Sequence, residues 1–313
     1  MFDVLLFLTL LIALGVAWRW IKPGGQDVDV VRRAITGLVF NLLLPVLIIK
    51  VMWQTHLDLD SLRISILGTF SIFAGFALMR ILVGIRPVKP EVAGALILAS
   101  GLPNATYLGL PLLDASFGSW TNGIAIQYEL FACTPVLVTV GALVARHYGS
   151  LAHPDDPSIK DEHIWESLLK IPPLWAMLIA IVLTISGISP PAELLSIMEK
   201  ISAAVVPLML LAIGMGLEWR VLLNEHRSWL SVVVILQLLI NPLLVWLLAP
   251  LVGLQGDVFA PTIMIAATPC MVAGILICDR YRIKSSLYAA AVTLTTLVSL
   301  ITLPLWLYFL TSA

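Results

Sequence analysis

Charged residues are scarce in this sequence of 313 residues. Asp, Glu, Lys and Arg together make up 12% of it, and hydrophobic residues make up 60%. The mean hydropathy is +1.01. Soluble domains carry about 25% charged residues, because polar side chains must cover their apolar core. Lipid solvates an apolar exterior instead, so the composition predicts an all-α integral membrane protein built from hydrophobic helices.

Other scarcities exclude whole classes of function. The net charge is −1, and no basic patch is large enough to track phosphates, so we expect no nucleic-acid partner. The three cysteines lie in apolar stretches, which is typical of reduced core residues rather than a disulfide framework. The five histidines fall in loops or at span ends without metal-ligand spacing. Phosphate-binding loops and nucleophile elbows are missing from the sequence too, and we predict no enzyme activity, no metal and no cofactor.

Long hydrophobic runs take the place of these features. A membrane-spanning helix needs about 20 mostly apolar residues, and the chain holds ten such runs. The predicted spans cover residues 2–21, 34–53, 62–84, 91–114, 122–145, 166–187, 195–217, 229–252, 257–278 and 287–310. The first run lacks the basic start and the small-residue cleavage site of a signal peptide, so we interpret it as a span.

The basic residues predict the orientation of these spans. Fifteen of the 18 Lys and Arg residues lie in or beside the connections 1–2, 3–4, 5–6, 7–8 and 9–10, and the other three are Lys50, Arg63 and Lys200. Cytoplasmic loops carry an excess of Lys and Arg. These connections are therefore predicted to be cytoplasmic and both termini extracytoplasmic, which agrees with an even number of spans.

The two halves of the chain share the positions of their central prolines. Pro45 in the second span corresponds to Pro207 in the seventh, and Pro103 in the fourth corresponds to Pro269 in the ninth. Five spans per half give the halves opposite orientations, and inverted repeats with interrupted helices are typical of secondary transporters. The alternative is chance, because proline is common in membrane helices. The predicted first repeat, cytoplasmic linker and second repeat cover residues 1–149, 150–163 and 164–313.

The fourth and ninth spans contain polar residues from which a binding site can be built. Gly101 and Pro103 disfavour a continuous helix in mid-membrane, and the backbone groups freed there must be buried in protein or line a cavity. Such a break offers bare carbonyls and the positive end of a half-helix, which suits a carboxylate. The predicted substrate-binding residues are Ser100, Pro103, Asn104, Thr106 and Tyr107 in span four, and Thr268, Pro269 and Cys270 in span nine. The alternative is a proline kink in which Asn104 caps a neighbouring backbone group.

Glu129 is a carboxylate inside predicted span five. Its position there costs roughly 2.5–3.5 kcal/mol unless it is paired or protonated, which favours a proton-coupling or cation-coordinating role. The alternatives are a structural Glu bonded to a backbone gap or to Gln127, and a position nearer the outer interface. Gln237 and Asn241 in span eight could line the same pocket, although hydrogen bonding between helices is the commoner role of such residues.

Four segments resemble those of the auxin efflux carrier family, which includes the PIN proteins of plants and many bacterial permeases. They are VFNLLLPVLI in span two, GLPNATYLGLPLLDASFG in span four, VVPLMLLAIGMGLEW in span seven, and AATPCMVAG with the residues that follow it in spans nine and ten. The segments occur in the family's order, and the resemblance covers nearly the whole chain.

The resemblance implies a ten-span fold of two inverted five-helix repeats, related to sodium/proton antiporters and bile acid symporters. It implies a scaffold domain of helices 1, 2, 6 and 7, and a transport domain of helices 3–5 and 8–10. Within the transport domain, helices 4 and 9 would cross at Pro103 and Pro269, with Asn104 beside the crossing. The resemblance further implies elevator-type alternating access, small organic anions as substrates, and a homodimer formed through the scaffold and surrounded by membrane lipid. The long cytoplasmic loop of many plant members is absent, which indicates a compact, bacterial-type member of the inner membrane.

The leading hypothesis is therefore a secondary transporter of small carboxylates, either auxin-like or dicarboxylate. One alternative is a proton- or sodium-coupled symporter of the bile-acid type, with Glu129 in the coupling path. Against sodium, Met271, Val272 and Ala273 beside Pro269 offer no polar ligand for the ion. An alternative of another class is a channel or a membrane receptor.

Overall fold

The described part of the chain is helical. The computed structural model describes residues 2–55, 58–156, 172–217 and 226–312, and the side chains among them from residue 9 onward. These ranges contain no β-strand, and their one strand-like feature is an isolated antiparallel bridge between Pro103 and Cys270. The all-α class predicted from the composition is confirmed. It suits a bilayer because a helix satisfies its backbone hydrogen bonds internally.

Beside short 3-10 segments at Pro23–Gly25 and Gly256–Val258 and a π segment at Ala105–Gly109, twelve helices account for most of the described ranges. They are α1 (Phe2–Ile21), α2 (Val28–Gln54), α3 (Leu59–Ile85), α4 (Pro90–Ala99), α5 (Leu110–Phe117), α6 (Ser119–Ala152), α7 (Pro172–Ile185), α8 (Ala192–Gly216), α9 (Arg227–Leu248), α10 (Phe259–Ala266), α11 (Gly274–Arg280) and α12 (Ser285–Ser312). Within these ranges, six helices are long and apolar enough to cross a membrane: α2, α3, α6, α8, α9 and α12. The protein is therefore a multi-pass membrane protein.

The remaining four predicted spans correspond to shorter helices. Spans one and six correspond to α1 and α7, although residues 166–171 of span six lie outside the described ranges. Spans four and nine each correspond to a pair of short helices, α4 with α5 and α10 with α11. The count of ten spans therefore stays a prediction. In addition, α6 continues to Ala152, so helix extends into the predicted linker at 150–163, whose residues from 157 onward are not described.

Four prolines in the helices each follow a π-helical segment. A proline lacks an N–H, and its ring clashes with the carbonyl four residues earlier, so the helix must be distorted around it. The π segments are Val39–Leu43 before Pro45, Ala105–Gly109 before Pro111, Glu129–Cys133 before Pro135, and Leu236–Ile240 before Pro242. Each proline is thus accommodated by one wider turn. As a result α2 passes Pro45 without a break, while α8 has a turn at residues 203–204 shortly before Pro207.

The chain divides into two compact units. The first is made of the described parts of Met1–Leu59, Thr106–Ile126 and Trp165–Leu217, and the second of the described parts of Asp60–Ala105, Gln127–Ile164 and Glu218–Ala313. The first unit therefore contains α1, α2, α5, α7 and α8. The second contains α3, α4 and α9 to α12, and α6 is shared between the units.

In the first unit, α1 and α8 pack backbone against backbone. Gly15 of α1 faces Gly214 of α8, and a Cβ atom on Gly214 would collide with the carbonyl oxygen of Ile12. Small residues allow this close approach of helices in a membrane. At the end of α8, Arg19 donates a hydrogen bond of 3.1 Å to the carbonyl of Met215, which satisfies one of the groups that a helix terminus leaves without a partner.

In the second unit, α3 runs closely past the residues that follow α4. A Cβ atom on Gly75 of α3 would collide with the carbonyl oxygen of Ser100, and one on Gly101 would collide with that of Ile72. Both positions therefore need glycine because a side chain would not fit between the two backbones, and not because of a turn. This contact fixes the position of the backbone at the point where the fourth predicted span is interrupted.

Candidate functional site

The fourth predicted span is interrupted in the second unit. α4 ends at Ala99 and the following π segment begins at Ala105, so residues 100–104 form an irregular connection. Pro103 cannot donate a helical hydrogen bond, and only a residue without Cβ fits against α3 at Gly101. The interruption predicted from these two residues is present.

The ninth predicted span is interrupted in the same way. α10 ends at Ala266 and α11 begins at Gly274, with Pro269 in the connection between them. A Cβ atom on Gly274 would collide with the hydroxyl of Tyr288, so this end of the connection is also closely packed. The interruption predicted at Pro269 is present as well.

The two connections pair with each other through their backbones. The N–H of Asn104 donates to the carbonyl of Pro269, and the N–H of Met271 donates to the carbonyl of Leu102, both at 2.8 Å. This is the antiparallel bridge noted above, a pairing of two short extended segments. Each break therefore satisfies backbone groups of the other. We call residues 100–104 and 267–273 the crossing.

Five further carbonyl groups, four in the crossing and that of Ala99 directly before it, accept hydrogen bonds from side chains. The pairs are Gln237 Nε2 with Thr268 O (3.0 Å), Asn241 Nδ2 with Ser100 O (2.9 Å), Tyr288 Oη with Met271 O (2.9 Å), Cys270 Sγ with Ala99 O (2.9 Å), and Cys133 Sγ with Pro103 O (3.9 Å). The expectation of bare carbonyls is wrong at these positions. The physical reason is that an unpaired backbone group in an apolar interior costs several kcal/mol, so the fold supplies donors.

The predicted binding residues of the crossing are all buried. Asn104 is 2% exposed, and Ser100, Thr268 and Cys270 are fully buried. The Ser100 hydroxyl donates to the carbonyls of Ile97 (2.7 Å) and Gly75 (3.0 Å), and the Thr268 hydroxyl donates to that of Ile265 (2.7 Å). These two hydroxyls hold the ends of α4 and α10.

Thr106 and Tyr107 continue the chain directly after the crossing. They lie in the π segment Ala105–Gly109, where Thr106 is buried and Tyr107 is half-buried. Both belong to the first unit, whereas the other six predicted binding residues belong to the second.

Glu129 is half-buried in α6, as the first residue of the π segment Glu129–Cys133. Its Oε1 accepts a hydrogen bond of 3.0 Å from the hydroxyl of Thr134. The nearby Gln127 is 4% exposed, and its Oε1 is buried without a hydrogen-bond partner among the described residues. α6 therefore carries a carboxylate with a partner on its own helix and an unused amide acceptor two residues earlier.

Sequence reasoning missed several buried hydrogen bonds of the second unit, one of them at the crossing. Thr295 of α12 accepts a hydrogen bond of 3.1 Å from the N–H of Cys270. In α6 and α3, the hydroxyls of Tyr128 and Ser71 lie 3.0 Å apart. A tyrosine in an apolar helix is itself a signal, because a buried phenol needs a partner, but its partner cannot be found from sequence spacing.

Within the described ranges, no three His, Cys, Asp or Glu side chains lie close enough together to hold a metal ion. The polar groups at the crossing are backbone groups, amides, hydroxyls and thiols. Its chemistry suits binding and orientation of a polar ligand in an apolar surrounding.

Comparison with known proteins identifies the family. The family model described as membrane transport protein matches residues 5–307. An uncharacterized transporter of Methanothermobacter thermautotrophicus is 25% identical over 289 residues, which cover 90% of this chain and 89% of the relative. The uncharacterized transporter YfdV of Escherichia coli K12 is 23% identical over 286 residues, 88% of each chain. An uncharacterized transporter of Methanocaldococcus jannaschii is 25% identical over 222 residues, 70% of this chain and 69% of the relative.

The stretch matched by the family model contains both interrupted spans and all four segments that resemble the auxin efflux carriers. The relatives match over most of their own length as well as most of this chain. The chain belongs to the membrane transport protein family, the family of the auxin efflux carriers, and it is a membrane transporter.

Proposed function

We propose that the protein is a secondary transporter of small organic anions, carboxylates of the auxin-like or dicarboxylate kind, which bind at the crossing. The observation that carries the proposal is the backbone pairing of Asn104 with Pro269 and of Met271 with Leu102. Irregular backbone at membrane depth is tolerated only where it is buried in protein or lines a cavity. Secondary transporters place their substrate sites at discontinuous helices of this kind.

The hydrogen bonds at the crossing favour an anion over a metal cation. Carbonyl groups of both breaks accept internal hydrogen bonds, so they are poor ligands for a cation. Helical structure resumes at Ala105, directly after Asn104, and the first N–H groups of a helix have no partner within it and carry partial positive charge. Residues 99–105 and 266–274 include no charged side chain. A carboxylate would therefore be held by the backbone N–H groups at the start of this helical segment and by the side-chain amide of Asn104.

The proposed architecture is ten spans in two inverted five-helix repeats. The hydrogen bonds of the crossing support this architecture. Spans three and five bond the break in span four, and their counterparts in the second repeat, spans eight and ten, bond the break in span nine. In the first repeat, the carbonyl of Gly75 in span three accepts from the Ser100 hydroxyl, and the thiol of Cys133 in span five donates to the carbonyl of Pro103. In the second repeat, Gln237 of span eight and Thr295 of span ten bond Thr268 and Cys270.

The proposed scaffold is α1, α2, α7 and α8, and the proposed transport domain is formed by the other helices. The content of the two compact units supports this division, since the first unit contains all four scaffold helices. Thr106–Ile126 groups with the first unit instead of with the transport domain. We further propose elevator-type movement, a homodimer formed through the scaffold, and a location in the cell membrane with both termini extracytoplasmic.

Proton coupling is the second candidate, and the half-buried Glu129 with its Thr134 hydrogen bond favours it. If Glu129 takes up a proton with each substrate, transport into liposomes should rise with an imposed pH gradient, and Glu129→Gln should remove that dependence while leaving exchange of labelled for unlabelled substrate intact. Transport that ignores the pH gradient in the unaltered protein would exclude this coupling.

Ligand-dependent stability tests the proposed site. A ligand at about 100 times its dissociation constant stabilises a protein by ~2.7 kcal/mol. A panel of organic acids should therefore contain members that raise the melting temperature of the purified protein, and Asn104→Ala should lose that rise. Asn41→Ala is the matched control, since Asn41 is exposed on α2 and bonds only the Gly37 carbonyl of its own helix (2.8 Å). An equal rise in all three proteins would contradict the assignment of the crossing as the binding site.

A further inference from the structure

A cleft of about 440 Å³ opens in the second unit between α3, α4 and α6. On the α3 wall, Phe73, Ala77 and Arg80 line it in turn. These positions share one face of the helix, because residues three and four apart are neighbours on a helical surface. Phe73 is 41% exposed, and Ala77 and Arg80 are exposed too. The wall therefore faces outward and changes from apolar to cationic along its length.

The α6 wall repeats this order. Val140 and Leu143 line the cleft first, and His147 lines it one turn further along the helix. His147 lies five residues before the end of α6 at Ala152. Arg80 lies five residues before the end of α3 at Ile85. Both walls thus have an apolar part and a nitrogen-bearing side chain near the C-terminal end of their helix.

Arg80 is without a hydrogen bond or an ion pair among the described residues, and none of the residues that line the cleft is acidic. A guanidinium presents several N–H donors in a plane and binds phosphate through two parallel hydrogen bonds. The ring nitrogens of His147 can add a further donor. The charge of the cleft is therefore complementary to an anionic phosphate at the end where the two helices finish.

We propose that this cleft binds one acyl chain of an anionic phospholipid, with the phosphate held by Arg80 and His147. Arg80 lies seven positions after Phe73, which is about 10 Å along the helix axis. This length fits within one leaflet of a hydrocarbon core ~30 Å thick. The basic connection that follows α3 is predicted to be cytoplasmic, so the lipid comes from the cytoplasmic leaflet, where basic pockets between helices bind anionic headgroups.

The headgroup decides whether this lipid is retained. An acyl chain that leaves the bilayer for the cleft gains no hydrophobic free energy, because lipid tails are as apolar as the cleft walls. Selectivity must then come from the contact between phosphate and guanidinium. This inference depends on the protein being embedded in a membrane in the proposed orientation, and it does not depend on the substrate or on where the substrate binds.

Native mass spectrometry of the detergent-purified protein tests the proposal, with phosphatidylglycerol and phosphatidylcholine of identical acyl chains as probes. The unaltered protein should retain one phosphatidylglycerol per chain in preference to phosphatidylcholine. Arg80→Gln should weaken retention of phosphatidylglycerol roughly tenfold, as expected for loss of a hydrogen bond to a charged group. Arg227→Gln is the matched control, because Arg227 is exposed at the start of α9 and is not among the residues of the cleft, and it should retain the lipid as the unaltered protein does.

Ala77→Trp fills the apolar part of the cleft without altering charge, and it should reduce retention of phosphatidylglycerol. Equal losses in Arg80→Gln and Arg227→Gln would overturn the proposal, as would equal retention of the two lipids by the unaltered protein. A change of oligomeric state in Ala77→Trp with lipid retention unchanged would also overturn it, since the cleft would then be a contact between copies of the chain. Arg80 is exposed, so the Arg80→Gln comparison stands even if Ala77→Trp does not fold.

Discussion

At the scale of single residues, two side-chain amides of α9 each satisfy one carbonyl of the crossing. Gln237 and Asn241 lie one turn apart, and their side chains hydrogen-bond each other at 3.3 Å. Gln237 then donates to the second break and Asn241 to the first. The crossing therefore depends on a neighbouring helix for groups that its own chain segments cannot pair.

Asn241→Leu should destabilise the protein by about 1–3 kcal/mol, because it leaves the buried carbonyl of Ser100 without its donor. The change in the free energy of unfolding can be measured by thermal or denaturant unfolding in detergent micelles. Asn41→Leu should change it little, since the Asn41 side chain is exposed and bonds only its own helix. Equal effects of the two substitutions would show that Asn241 does not hold the crossing.

The sequence predicted the interruptions at Pro103 and Pro269, but not their partners. Proline and glycine act through local sterics, so their effect is visible at their own positions. The donors to the freed carbonyls come from residues far along the chain, such as Cys133, Asn241 and Tyr288. Nothing in their spacing indicates which carbonyl each of them meets.

At the scale of helices, Pro242 after the π segment of α9 leaves a carbonyl that another helix satisfies. In α9, Pro242 cannot donate to the carbonyl of Leu238, and the indole N–H of Trp306 in α12 donates to that carbonyl at 2.9 Å. Trp306 also contacts the ring of Phe309, with ring centroids 5.9 Å apart. Trp306 therefore joins α12 to the distorted turn of α9.

A double-mutant cycle tests this link between α9 and α12. Trp306→Phe keeps the aromatic packing and removes the donor, so it should lower the free energy of unfolding by about 0.5–1.5 kcal/mol. In a Pro242→Ala background the new backbone N–H can bond Leu238, and the same substitution should cost close to nothing. The two substitutions should then show a coupling free energy of similar size in unfolding experiments. Identical costs in both backgrounds would contradict the account.

Helix positions followed from hydrophobic runs, whereas helix irregularities did not. The predicted boundaries 62–84 and 287–310 lie within α3 at Leu59–Ile85 and α12 at Ser285–Ser312. Boundaries are readable because lipid demands a continuous apolar stretch of a certain length. The π segments are not readable as such, because the prolines that follow them are compatible with a kink, a break or a wider turn.

At the scale of the whole molecule, the composition predicted a membrane protein, and four motifs in the right order predicted the transporter family. The grouping of Thr106–Ile126 with the first unit was not predictable. The chain leaves one unit and enters the other directly after Ala105, within a predicted span that hydrophobicity treats as continuous. The chain thus passes between its two compact units one residue after the interruption of that span ends.

Uptake of labelled organic acids into liposomes tests whether the crossing is the site at which an organic anion is transported. We expect saturable uptake of at least one carboxylate by the unaltered protein and by Asn41→Ala, and no uptake by Asn104→Ala, with all three proteins reconstituted in equal amounts and melting at similar temperatures. Undiminished uptake of that carboxylate by a folded Asn104→Ala protein would contradict this expectation.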